Sequence, residues 1–233
     1  MISLIFGSLA LINVAFLKPE AIISPLAGSA FSEQKEEILA SMPMDLSKRY
    51  DNEFVNEVFK DNIVLALRYL DNHARLEYSP AEAGQAEPRS ELDWKKVRQP
   101  FTVSFTLQPG EVFAFHDKVL PSYIKAAEGK PIKTMGSHFI GQEGYRSDGF
   151  LYGDGVCHLA SLINWAASHA KLEVVSLVDH DFKPIFGIPK QYGTSINSHS
   201  ATQNLYIKNT LDAPVEFRFE VSEERVELEI AKK

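Results

Sequence analysis

The sequence predicts an α+β protein: an N-terminal helical section followed by an antiparallel-rich sheet with one central helix starting at Cys157. Three observations carry that prediction. Strand-like alternation flanks turn residues at Phe101–Phe115 and again from Leu205 to Ile230, and these hairpin signals outnumber any strand–helix alternation of the kind a parallel sheet needs. The stretch Phe150–Ala167 joins a glycine turn to an apolar pattern of helical period. Upstream, the charge-rich stretch Phe31–Leu70 has amphipathic spacing.

At 233 residues with 45% hydrophobic content, the chain has material for a core of its own. A net charge of −7 without any basic stripe argues against a nucleic-acid partner, because phosphate contacts need clustered Lys and Arg. A single cysteine excludes an intramolecular disulfide and a cysteine-rich zinc site.

Taken in order, Met1–Leu17 is an uncharged, mostly apolar run, followed by Lys18-Pro19-Glu20 and a small-residue patch that ends in Gly28-Ser29-Ala30. An apolar core ahead of a small-x-small site reads as an export signal over residues 1–30, although the basic start is missing. The run also reaches the lower length limit for crossing about 30 Å of hydrocarbon, which makes an uncleaved membrane anchor the second reading and a buried helix the third. Either of the first two places the rest of the chain outside the cytoplasm, secreted or anchored.

From Ser32, the acidic residues Glu33, Glu36 and Glu37 read as the first turns of a helix, with Ile38, Leu39 and Met42 as its apolar edge. Beyond Pro43, the spacing of Tyr50, Phe54, Val58, Phe59, Ile63, Leu67 and Leu70 suits one or two amphipathic helices, with breaks at Asp51-Asn52 and Asp61-Asn62. The helical section therefore covers 31–77. Tyr78–Ser90, rich in Pro, Gly, Ala and Glu, reads as a linker or surface loop ahead of a domain over 91–233.

In Phe101–Leu107, the residues Phe101, Val103, Phe105 and Leu107 alternate with Thr102, Ser104 and Thr106. Pro109-Gly110 then turns the chain and Val112-Phe113 begins the return of a β-hairpin that ends at His116-Asp117. Pro121–Gly149 is a long loop with Ser137, His138, Glu143, Arg146 and Asp148 as polar candidates. Gly153-Asp154-Gly155 makes a tight turn into a helix that carries Leu159, Leu162, Ile163 and Ala166 on one face. The glycine pair is no phosphate loop, since the Gly-Lys-(Ser/Thr) ending is missing.

Cys157 falls in the first turn of that helix. Unpaired N–H groups and aligned peptide dipoles favour an anion there, which lowers a thiol's pKa and makes a nucleophile. The competing reading is packing, because free cysteine is commonly a small buried hydrophobe. Leu172–Leu177 is of strand type and leads into Asp179-His180-Asp181 and a Gly/Pro-rich course to Ser198-His199-Ser200. His180, Asp181 and His199 are metal-ligand types without a tight ligand spacing, so no metal is assigned and no cofactor is implied. Leu205–Ile207 and Val215–Val221 form a terminal hairpin around Asn209–Asp212, with Val226–Ile230 as an edge strand.

The segment GDGVCHLASLINWAASHAKLEVV (Gly153–Val175) resembles the signature of the VanW-like family, a glycine triplet, Val, Cys, Gln, a Ser/Thr-rich helix start and a closing strand. Flanking blocks match in the same order: LQPGEVFAFHDKV (Leu107–Val119) with Pro109 and Gly110, then Gly144-Tyr145, then QNLYIKNTLDAPVEFRFEV (Gln203–Val221). The likeness covers about 101–221. Asp154 stands where the family has a second glycine, His158 where it has Gln, and Ala160 and Leu162 where it favours hydroxyl residues, with Ser161 between them. The family's Gly-Arg-Asp-Ala-Thr-Val stretch is reduced to Tyr192–Ile196 without its Arg and Asp, which marks a divergent member.

The resemblance implies a bacterial cell-envelope protein, associated with vancomycin resistance by family name, with peptidoglycan or another envelope component as partner. Three functional classes follow. In the first, the protein recognises or positions peptidoglycan, and Gly153, Asp154, Gly155, Cys157, His158, Ser161 and Tyr145 are structural or binding residues. In the second, it is a cysteine hydrolase or acyltransferase on wall peptides. Cys157 is then the nucleophile and His180, which matches a family position, the base, with Asp179 or Asp181 orienting the imidazole. In the third, it cleaves glycan with a carboxylic acid, for which Glu111 in the matched block is the candidate.

Overall fold

The computed structural model describes residues 36–47, 50–71, 92–149 and 153–233. The apolar run and cleavage patch of 1–30 and the linker at 78–90 lie outside these residues. Among the described residues there are four α-helices and two antiparallel sheets, an α+β architecture as the sequence predicts.

The larger sheet has the order β1 (Glu37–Asp45), β7 (Arg225–Lys232), β6 (Val215–Val221), β2 (Phe101–Leu107). The smaller has β3 (Val112–Ala114), β5 (Leu205–Lys208) and β4 (Glu173–Ser176) in that order. The helices are α1 (Glu53–Leu70), α2 (Trp94–Val97), α3 (Pro121–Ala126) and α4 (Val156–His169).

β1 overturns the helix expected from Ser32 to Met42. Ala40 and Met44 point into the core while Ser41, Pro43 and Asp45 face outward, and the strand pairs with β7 from Glu37 against Lys232 to Asp45 against Arg225. Acidic residues favour the start of a helix locally, but a ladder with a strand roughly 190 residues away outweighs a propensity worth only tenths of a kcal/mol per residue. Pro43 is tolerated because β1 is an edge.

α1 starts where Asp51-Asn52 suggested a break: the Asn52 side chain caps it by accepting the Val55 N–H at 3.2 Å. The second expected break does not occur. Asp61 and Asn62 sit within the helix, both fully buried, and are satisfied by partners from elsewhere in the chain.

The expected hairpin at 101–115 is also corrected. The turn exists, with Gln108 C=O accepting the Glu111 N–H at 2.9 Å and Gly110 at φ +77°, but β2 pairs with β6 and β3 with β5. The chain crosses here from one sheet to the other. Asn209 braces the crossing: its N–H donates to Glu111 C=O (3.0 Å), its C=O accepts from Gly110 (2.8 Å) and its side chain donates to Leu107 C=O (2.8 Å). Likewise β5 belongs to the smaller sheet, the terminal hairpin is β6–β7, and β7 lies inside the sheet between β1 and β6. Alternation marks a strand; it does not name the strand's partner.

Phe105 closes the join between the sheets, stacked on Phe113 of β3 (4.9 Å) and Phe217 of β6 (4.6 Å). α4 is the central helix. It packs on β1 and β7 of the larger sheet and on β4 and β5 of the smaller, with α1 against it. Leu159, Leu162, Ile163 and Ala166, the face read from the sequence, are fully buried.

Candidate functional site

The turn that feeds α4 is fixed from both sides. Gly153 and Gly155 have φ of +81° and +98°, and a Cβ on either would lie 3.0 Å from the Phe139 carbonyl oxygen or 2.7 Å from that of Phe59. Backbone sign and space both demand glycine. Asn62 of α1 bolts the turn down: its Nδ2 donates to Asp154 C=O (2.8 Å) and Arg146 C=O (3.0 Å), and its Oδ1 accepts the Arg146 N–H (2.8 Å). Beside it, Asp61 is fully buried between Arg98, bound through both carboxylate oxygens at 2.7 and 2.9 Å, and Arg146.

Cys157 occupies the first turn of α4, as read. Its Sγ accepts the Ile196 N–H at 3.4 Å and its S–H donates to the Ile196 carbonyl at 3.8 Å. Burial pushes the thiol above its ordinary pKa, and the charge of Asp154 pushes the same way. The lowered pKa expected from the helix start is thus not met, because loss of water costs the thiolate more than the helix dipole returns.

His180 donates from Nδ1 to the Lys183 carbonyl at 3.1 Å, so a backbone carbonyl rather than Asp179 or Asp181 orients the ring. That ring stands edge-on to His158 at 5.6 Å between centroids, and His158, buried, also packs on Phe59 at 5.0 Å. Among the described residues no hydrogen bond joins His180 to Cys157. Asp181 pairs instead with exposed Lys190 at 3.6 Å. Among the described residues no group of three or more His, Cys, Asp or Glu is arranged to hold a metal ion.

Ser161 clips the helix to the segment facing it, donating to Cys157 C=O (2.7 Å) and accepting the Thr194 N–H (2.9 Å). Asn164 continues the clip to Tyr192 C=O (3.2 Å) and Thr194 Oγ1 (3.0 Å). The sequence does not mark Asn164 at all, reads Asp61 and Asn62 only as a helix break, and places Thr194 only within the reduced family stretch. The polar spacing Cys157, Ser161, Asn164, Ser168 along an apolar helix is a signal for Asn164. Nothing local announces the site roles of Thr194, Asn62 and Asp61.

Asp154 carries the most displaced acid of the site. Half-buried, it is lifted to about 6 by burial, with the Asp148 carboxyl adding to the rise and the Asp148 N–H, donating to its Oδ2 at 3.1 Å, opposing it. Glu111 lies elsewhere, in the crossing between the sheets, where its carboxylate accepts the Gln108 N–H at 2.8 Å and closes the turn. Pro109 accepts Lys130 Nζ at 3.1 Å in the same turn. Tyr145 is buried, bonded to Ser137 Oγ at 2.8 Å and stacked on Tyr69, and burial holds its phenol well above the ordinary range. His138 bridges Glu143 (2.9 Å) and Asp117 (3.3 Å), and its pKa is raised chiefly by Glu143.

The glycine turn, α4 and the facing segment 192–196 lie within a family match: the model of the VanW like protein family fits residues 102–231, over half of the chain. The chain belongs to the VanW-like family. No match was found among curated proteins or among solved structures. The VanW-like region by itself omits β1 and α1, although α1 supplies Asn62 to the Gly-Asp-Gly turn. Among the described residues no helix is long and apolar enough to cross a membrane.

Proposed function

We propose that this VanW-like protein acts in the bacterial cell envelope, secreted or anchored through Met1–Leu17, where it recognises peptidoglycan during wall remodelling. The junction Gly153–Ser161 is its rigid scaffold and Cys157 a structural thiol. The observation that carries this reading over a cysteine hydrolase is the state of that thiol. It is held by both backbone groups of Ile196, burial opposes its ionisation, and the His180 ring meets His158. The Ile196 N–H alone favours the thiolate; a nucleophile needs in addition an ionised sulfur and a base within reach of it.

Asp154 favours a second reading, carboxyl-dependent glycan cleavage, with the acid moved from Glu111 to a group that holds its proton to about pH 6. The test incubates the full chain with whole peptidoglycan, beside Cys157→Ala and Asp154→Asn, and follows pelleting and the mass spectrum of soluble products. Co-sedimentation of the wild type and of Cys157→Ala, without released fragments, is expected. Peptide release abolished by Cys157→Ala would reinstate the nucleophile, and sugar release abolished by Asp154→Asn would establish the carboxyl chemistry. Neither binding nor release would remove peptidoglycan as the direct ligand.

A further inference from the structure

The two edges of the larger sheet are built differently. β1 carries Pro43, an irregular register between Ile38 and Ala40, and the charged residues Glu37 and Asp45, devices that discourage pairing with a foreign strand. β2 has none of these. Its sequence, FTVSFTL, lacks charge and proline, and it runs against β6 without a register shift from Phe101 opposite Val221 to Leu107 opposite Val215. Among the described residues, the one hydrogen bond to its backbone from outside the sheet is that of the Asn209 side chain to Leu107 C=O. Phe101 and Phe105 on its inner face remain half-buried, whereas Val103 and Leu107 are buried.

We propose that β2 is the pairing edge of a two-fold dimer, in which β2 of one copy lies antiparallel to β2 of a second copy with Ser104 on the axis. In that register Thr102 faces Thr106, Val103 faces Phe105 and Phe101 faces Leu107. The strand is its own complement: hydroxyls meet hydroxyls on the open face, apolar side chains meet on the inner face, and no like charges oppose. The nearest charges on the open face, Glu216, Arg218 and Glu220, come from β6, where Arg218 binds Glu216 at 2.7 Å and the Glu216 carboxylate accepts the Ser104 hydroxyl at 3.0 Å. Pairing joins the two sheets into one continuous sheet in which guarded β1 strands form both outer edges. This self-match selects a second copy over an unrelated extended peptide, for which an uncharged edge offers no discrimination.

Sedimentation equilibrium of the full chain in density-matched mild detergent, from about 1 μM to about 1 mM to span weak complexes, tests the dimer. A monomer–dimer equilibrium is expected for the wild type. Ser104→Lys sets two ammonium groups against each other on the axis and raises the dissociation constant about fivefold or more, while Ser41→Lys on β1 leaves it unchanged. Independently, Ser104→Cys forms an inter-chain disulfide in air and Ser41→Cys does not, since directly opposed antiparallel residues have Cα atoms about 4.5–5.5 Å apart, within disulfide reach. A monomer at every concentration overturns the proposal. It is overturned equally if amide exchange at Phe101–Leu107 is slow in that monomer, because another segment of the same chain then occupies the edge. A dimer indifferent to Ser104→Lys that Ser104→Cys fails to lock overturns it as well.

Discussion

Asp154 holds its proton far above the ordinary 3.8 of an aspartate because protein, rather than water, surrounds half of it. The folded chain therefore binds that proton more tightly than the unfolded chain does, and this group's contribution to stability falls as pH rises from about 4 to about 6. Asp154→Asn should raise stability at pH 7 by about 1 kcal/mol, allowing for the screening of a half-exposed group, and by nothing through this route near pH 4. Urea unfolding at both values measures it; an equal effect at both would assign the residue to hydrogen bonding alone. Three positions on, Cys157 should react with iodoacetamide in the native state at least about tenfold more slowly than in the unfolded chain, since the thiolate is the reacting form and is disfavoured here. Native reactivity equal to that of the unfolded chain would contradict the structural role given to it.

At the scale of elements, one amide of α1 holds the turn that feeds α4, beside the ring contact of Phe59 with His158. Asn62→Leu is close to isosteric, yet it strips partners from Asp154 C=O and from the Arg146 N–H, while Arg146 C=O keeps the Gly153 N–H at 3.3 Å. Leaving buried polar groups unpaired should cost about 2–4 kcal/mol in denaturant unfolding, and a loss below about 1 kcal/mol would mean that water takes the amide's place. The position of α4 was legible, because a glycine turn and a helical period are local signals and both lie within twenty residues of Cys157. The role of Asn62 was not. Asp61-Asn62 looks like a helix break to its neighbours in sequence, and only Arg98, Arg146 and Asp154, brought in from other elements, explain it. β1 was misread for the same reason, since its acidic residues are local and its partner β7 is remote. At 108–111 the turn was visible and the change of sheet was not. Of the candidate site, the run 153–161 was legible and the pairing of His180 was not, because whether a ring meets a thiol or another imidazole depends on how two loops pack.

At the scale of the molecule, the family region 102–231 is structurally incomplete. α4 and β7, both inside it, pack against β1, and α4 also packs against α1, while β1 and α1 lie outside the matched region. A fragment of residues 102–233 should expose the face of α4 that covers Leu159, Ile163 and Ala166 and leave β7 as an unguarded edge, so loss of cooperative thermal unfolding and aggregation are expected. A sharp melting transition close to that of the full chain would refute the idea that the upstream elements complete the core.

The pairing of β1 with β7 also sets a clock. β1 is synthesised first and its partner roughly 190 residues later, which at about 5–20 residues per second is a wait of about 10–40 s. Throughout that interval β1 has no strand to pair with, and the larger sheet cannot close. Among the described strands the first to be made waits for the last, so this part of the core is completed only when β7 has emerged.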